Sequence, residues 1–276
     1  MTFTQIAIFR GRNIRRAEYN KEWWFSVTDI IKILTDSNDP SDYWYRMKIR
    51  VKTEDGAQLS TFCRQLKLVS PDGKMRKTDC ANTESLLRII ESVPSPKAEP
   101  LKRWLARVGY ERIQEIEDPE LGTKRTRLLY KSKGYPESWI EKRMRGINVR
   151  EGLTDEWRNR ELKTEKEYAI LTAEISKATF DMTPSEYKRY KGLQRQNLRD
   201  HMDGLELIFS MLGEASATRI TTAKNAIGFK KNEEAALEGG KIAGEARKSL
   251  EKKSGKRVAT NQNYLKGYKE RKLISS

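Results

Sequence analysis

The sequence predicts an α+β N-terminal module, a small antiparallel sheet with short helices, followed by an all-α helical domain and a basic C-terminal tail. Strand-type runs bounded by turn residues are confined to roughly the first 80 positions. Three prolines, Pro94, Pro96 and Pro100, punctuate the stretch 93–100, and beyond them the apolar residues recur at helical spacing. These features divide the chain into an α+β domain over 1–96, a helical domain over 97–215 and a Gly-containing basic tail over 216–276.

The elements follow in order. FTQIAIF at 3–9 is β-prone; Gly11 and NIRRA at 13–17 make a first hairpin with it. Tyr19 to Glu22 reads as a turn and WWFSV at 23–27 as a further strand. Thr28 is placed to cap a short helix running to Leu34, with Asp29 suited to its N-terminus. Ser41 is the expected cap of a helix ending near Lys52, in which Tyr43, Met47 and Val51 recur every four residues beside Trp44. Residues 57–63 read as extended structure or a loop. Gln65–Val69 and Lys74–Thr78 alternate around Pro71-Asp72-Gly73, which predicts a hairpin with a basic tip. Asn82 or Thr83 then caps a helix to about Ser92.

Pro100 suits the first turn of a long helix whose apolar stripe is Leu101, Trp104, Leu105 and Val108. Pro119 opens a helix that Gly134 closes, and Pro136 opens another carrying Ile140, Met144 and Ile147. Thr164 with Glu167, and Thr183 with Glu186, form capping boxes. The second of these helices is expected to carry Leu198, Met202, Leu205, Phe209 and Leu212 at spacings 4, 3, 4, 3, two heptads that suit a bundle within the chain. From Ser216 the pattern fades. The row Ala235, Gly239, Ala243 and Ala246 would let another backbone approach closely, and a basic arm that orders on binding fits equally well.

The net charge is +16, from 55 basic and 39 acidic residues. It amounts to +4 over 1–100, +6 over 101–150, −3 over 151–216 and +9 over 217–276. The middle block is therefore near neutral, and the excess lies where a polyanion could be met. Two cysteines, Cys63 and Cys80, suit reduced thiols rather than a disulfide framework or a zinc site. The first residues lack an apolar signal core, and no apolar run nears the ~18 residues a membrane span needs. A soluble, cytoplasmic protein is expected.

Nothing points to catalysis, a metal or a cofactor. His201 is the only histidine. It sits between Asp200 and Asp203 and reads as a surface residue. No GxSxG, GxxxxGK[ST] or GxGxxG is present. Asp29, Asp72 and Asp79 have plainer roles as cap, turn and loop residues.

The runs IFRGRNIRR, WWFSVTDIIKIL, YWYRMK, QLKLVSPDGKMRKTDCAN and SVPSPKAEPLKRWLARV occur in this order over 6–108. Together they resemble the BRO-N domain of prophage antirepressors and of BRO proteins from large DNA viruses. The remainder is similar to a bacterial subgroup labelled prophage antirepressor or DNA-damage-inducible protein D-like. The resemblance implies DNA binding by the N-terminal domain and control of phage or mobile-element genes, and it carries over no catalytic residue. Its basic positions fall here on Arg12, Arg15, Arg16, Lys74, Arg76 and Lys77.

Three functions follow as expectations. A DNA-binding regulator would present the hairpin, with Lys67 on its facing strand, to a groove, while Arg46, Arg50 and Lys52 contact phosphate. An antirepressor would instead capture a repressor or DNA-repair protein through the helical part, with Trp139 and Trp157 as candidate anchors. A single-strand binder would stack bases on Trp23 or Trp24. A homodimer is expected on grounds of symmetry.

Overall fold

The structure is a computed structural model that describes residues 14–54, 59–70 and 72–265, apart from the side chains of 52–54. The chain forms two compact units, Met1–Pro119 and Glu120–Ser276.

In the first unit, β1 (Arg16–Tyr19) and β2 (Glu22–Ser26) form a hairpin whose turn residues Asn20 and Lys21 both have positive φ, 51° and 64°. Such a tight turn matches the natural twist of the strands. With β3 (Arg64–Val69) and β4 (Met75–Ala81) they make an antiparallel sheet ordered β1-β2-β4-β3. The sheet curls enough that Arg64 on one edge donates to the Tyr19 hydroxyl on the other, at 2.7 Å. The strand expected at 3–9 lies outside the described residues.

Helix α1 spans Val27–Leu34 and starts earlier than Thr28 would allow. Its cap is Ser26, whose hydroxyl accepts the Asp29 N–H at 3.3 Å. This start turns Val27, Ile30, Ile31 and Leu34 onto one face, all buried. In α2 (Pro40–Glu54) the capping group is likewise Asp39 rather than Ser41, since its carboxylate accepts the N–H groups of Ser41 and Asp42, each at 3.0 Å. Trp44, Met47 and Val51 of α2 join Leu59, which a short 3-10 turn over Leu59–Phe62 places inside. Helix α3 (Thr83–Glu91) is capped by Asn82 and adds Leu86, Ile89 and Ile90. Each such side chain stabilises the unit by about 1.5–3 kcal/mol. Helix α4 (Glu99–Glu117) reaches this core through Leu101; Trp104 and Val108, expected to pack, stay exposed.

Helix α5 (Pro119–Ser132) ends before Gly134, and Pro136 caps α6 (Glu137–Asn159). Both expected capping boxes are present, on α7 (Glu165–Phe180) and α8 (Pro184–Tyr190). The continuous helix expected through Leu212 is not: α8 stops, Leu198–His201 form a 3-10 turn, and Asp203 caps a new helix, α9 (Gly204–Ala223). Leu198, Met202 and Phe209 are buried while Leu205 is exposed, so the five do not share one face.

What reads as a basic tail is largely the longest helix, α10 (Phe229–Ser254). Its glycines let it lie against two neighbours. A Cβ on Gly239 would meet the Ala217 amide nitrogen of α9 at 2.3 Å, and one on Gly244 the Ala178 carbonyl oxygen of α7 at 2.2 Å. Charges are buried here in pairs. Lys191 and Glu206, both fully buried, bond to each other; Tyr187 donates to Glu206 at 2.5 Å. Chain beyond α10 completes the pair: the Thr260 N–H donates to Glu206 at 3.1 Å and Lys191 donates to the Gln262 carbonyl at 2.8 Å.

Candidate nucleic-acid interface

The β3–β4 hairpin is closed by Gly73, whose N–H donates to the Ser70 carbonyl at 2.8 Å and whose φ of +78° suits only a residue without Cβ. The Asp72 carboxylate accepts the Lys74 N–H at 3.3 Å. Register pairs Gln65 with Asp79, Lys67 with Lys77, Leu68 with Arg76 and Val69 with Met75. Side chains alternate across the sheet, so buried Leu68 and Cys80 share one face with Arg76, while Lys67 and Lys77 share the other with Asp79 and, at its base, the core residue Ala81.

The Lys67–Lys77 face changes character along its length. Near its base Asp79 accepts Trp44 Nε1 at 2.8 Å, Lys48 Nζ at 3.0 Å and Gln65 Nε2 at 3.4 Å. Burial opposes ionisation of Asp79, but these bonds prevail and hold its carboxyl below its ordinary range. Toward the turn the face is open. Lys67 and Lys77 stand opposite each other with no acidic partner among the described residues, and Val69 and Met75 beside them are 56% and 58% exposed. Like charges directly opposite on a sheet destabilise it. Lys74 at the turn is also unpaired among the described residues.

The expected arginines are disposed differently. Arg15 is bound to Asp29 through Nε at 2.9 Å and Nη2 at 2.7 Å. Burial again opposes ionisation of Asp29, but the Arg15 hydrogen bonds outweigh it and lower its pKa. Arg76 lies on the hairpin face opposite Lys67 and Lys77 and pairs with Asp72 at 2.5 Å. Arg46 pairs with Asp42, and Arg50 donates to the Ser92 carbonyl at 3.2 Å. Arg16 lies over the Trp23 ring at 4.3 Å. Lys52 belongs to α2, but its side chain, like the whole of Arg12, lies outside the description. The structure therefore brings together Lys67, Lys74 and Lys77, with Arg76 on the reverse side of the same tip.

Trp23 and Trp24 are half-buried, and Arg64 covers Tyr19 at 4.3 Å and approaches Trp24 at 6.0 Å. Neither indole is a bare platform. Burial pushes the Cys63 thiol up to about 12 and that of Cys80 up to about 11, so both stay protonated and poor nucleophiles at neutral pH. His201 is half-buried rather than a surface residue, and burial lowers its pKa. Its neighbour Asp200 receives Tyr130 at 3.0 Å and Arg143 at 2.9 Å, and Asp203 caps α9. Among the described residues, no three His, Cys, Asp or Glu are grouped to hold a metal, and no helix is long and apolar enough to cross a membrane.

The exposed pair Val69 and Met75 escaped the sequence reading, as did the placement of Arg76 on the face of Leu68. The signal was there: alternation in QLKLV and MRKTD sets the lysines on the opposite face from Leu68 and Arg76.

A small curled antiparallel sheet packed with short helices, showing an unneutralised lysine pair, defines an α+β module. Residues 13–113 match the BRO family, N-terminal domain. No curated protein matches the chain.

Proposed function

We propose that the N-terminal unit binds duplex DNA through the open, turn-proximal part of the Lys67–Lys77 face of the β3–β4 hairpin, as part of a regulator of prophage or mobile-element type. The observation that supports this reading is the Lys67–Lys77 pair. It carries a cost to the sheet that a phosphate between the two ammonium groups relieves. Lys74 extends the contact at the turn, and Val69 and Met75 offer apolar contact to sugars or thymine methyl groups. Arg46 and Arg76 are held only by exposed ion pairs, which are weak enough for phosphate to replace the carboxylate. Arg15 is instead a structural residue, fixed to Asp29.

Titration of fluorescent duplex DNA with the full chain over a range of salt tests the proposal. Affinity is expected to fall linearly on logarithmic axes, and Lys67→Ala with Lys77→Ala to reduce the slope by about 2, one for each lost phosphate contact. An unchanged slope in the double variant removes the hairpin from the interface; no binding at low salt removes DNA as the ligand.

A further inference from the structure

Helix α4 is anchored on its own unit through Leu101, in its first turn. Along one side it carries Lys102, Ala106, Gly109, Ile113 and Ile116 at spacings 4, 3, 4, 3, with Tyr110 beside them. From Ala106 onward every one of these is exposed: Tyr110 by 61%, Ile113 by 58% and Ile116 by 70%, and a Cβ on Gly109 would meet nothing within 4 Å. Glu115, which is buried and bonded to Arg112, lies on the opposite side of the helix. A helix in a folded protein draws most of its stability from packing an apolar face, and a glycine in its middle weakens it. An apolar row at heptad spacing on such a helix calls for a second helix.

The row also describes its partner. Its first half is small, Ala106 and Gly109, and its second half bulky, Ile113 and Ile116. Once the pairs within the helix, Arg103 with Glu99 and Arg112 with Glu115, are set aside, its charges run the same way: Lys102 and Arg107 lie in the first half, Glu111, Glu117 and Asp118 in or just after the second. Neither Lys102 nor Glu117 has a partner among the described residues, and about 22 Å of helix, at 1.5 Å per residue, separates them. A copy of α4 laid antiparallel about a two-fold axis near Tyr110 resolves all of this at once. Each small half receives the other's isoleucines, and each Lys102 meets the other's Glu117. A parallel copy would set bulk against bulk and like charge against like.

We propose that α4 is a homodimerisation helix, pairing antiparallel with α4 of a second copy through Ala106, Gly109, Tyr110, Ile113 and Ile116. The interface is isologous, so one chain supplies both halves of every contact.

Sedimentation equilibrium of the full chain across a wide concentration range tests it, with circular dichroism to verify the fold. The expected result is a reversible monomer–dimer equilibrium. Ile113→Glu with Ile116→Glu should weaken it at least tenfold without loss of helix, since both side chains are exposed in the single chain. Lys102→Glu and Glu117→Lys should each weaken it several-fold, and the two together should restore it. A single-chain mass at every concentration overturns the proposal and leaves the face to an unlike protein. A dimer indifferent to the isoleucine change, or a charge swap without recovery, overturns it equally.

Discussion

The β3–β4 hairpin and the α7–α9–α10 packing treat charge and close contact in opposite ways. In the helical unit Lys191 and Glu206 are removed from water together, and their remaining hydrogen-bonding capacity is taken up by Tyr187, Thr260 and Gln262. On the hairpin two lysines face each other at the surface with no acid between them, next to apolar side chains left in water. The first arrangement is costly to disturb because a buried charge without its partner has nowhere to go. The second contributes little to folding, so its residue choice is free to serve something outside the chain. Stability and the proposed recognition are thus assigned to different parts of the molecule, and substitutions should separate them.

The largest effect should come from splitting the buried pair. Lys191→Met alone should lower stability by roughly 3–5 kcal/mol, and Lys191→Met with Glu206→Leu by clearly less, because the uncompensated charge is then gone. Urea unfolding of the two variants measures this; equal losses would mean that volume rather than charge dominates. Next comes Gly244→Ala, whose new methyl would overlap the Ala178 carbonyl and should cost about 3 kcal/mol. The matching change at exposed Gly152, where nothing lies within 4 Å, should be neutral or slightly stabilising by calorimetry, since alanine suits a helix interior better than glycine.

A smaller effect should appear in acid. Asp29 and Asp79 have folded pKa values below their unfolded ones, so they bind fewer protons in the fold. Their contribution is complete above the unfolded carboxylate value of about 4 and is lost as pH falls through the depressed folded values. The urea midpoint should therefore drop between pH 7 and pH 3. It should drop less in the Asp29→Asn, Asp79→Asn variant, which starts from a lower midpoint; parallel curves would mean other groups are responsible. The smallest effect on stability belongs to the hairpin. Lys77→Thr should raise stability slightly, by a few tenths of a kcal/mol, read as a small rise in melting temperature, through removal of the like-charge pair. If the proposed DNA contact is right, this same variant shows one of the clearest losses of affinity.

Local signals in the sequence read through to the structure. Asn82, Thr164 with Glu167, and Thr183 with Glu186 cap helices as their spacing requires, and Asp72-Gly73 turns the hairpin. Long-range pairings did not read through. Asp29 looks like a helix-cap residue from its neighbours alone; its partner Arg15 is 14 positions away. Asp79 likewise serves Lys48 and Trp44, 31 and 35 positions off. The heptad-like row from Leu198 to Leu212 misled because spacing carries no information about a break, and Asp203 starts a new helix inside it. Helix α10 was obscured by its glycines, whose intrinsic penalty is outweighed by the close seating against α7 and α9 that they alone permit. At the candidate interface, which residues are basic was plain from the start. Which of them remain unpaired depended on acids distant in sequence.

The way residues 258–264 finish the helical unit has a practical side. Val258 and Ala259 are buried, the Tyr264 ring stacks on Trp139 at 5.6 Å, and its N–H donates to the His201 carbonyl at 3.2 Å. Anyone trimming the gene by composition would cut after the long helix and discard a lysine-rich end as ornament. That cut would strip the two innermost charges of the backbone groups that accompany them, and yield a protein that fails in the test tube for reasons unrelated to whatever it binds.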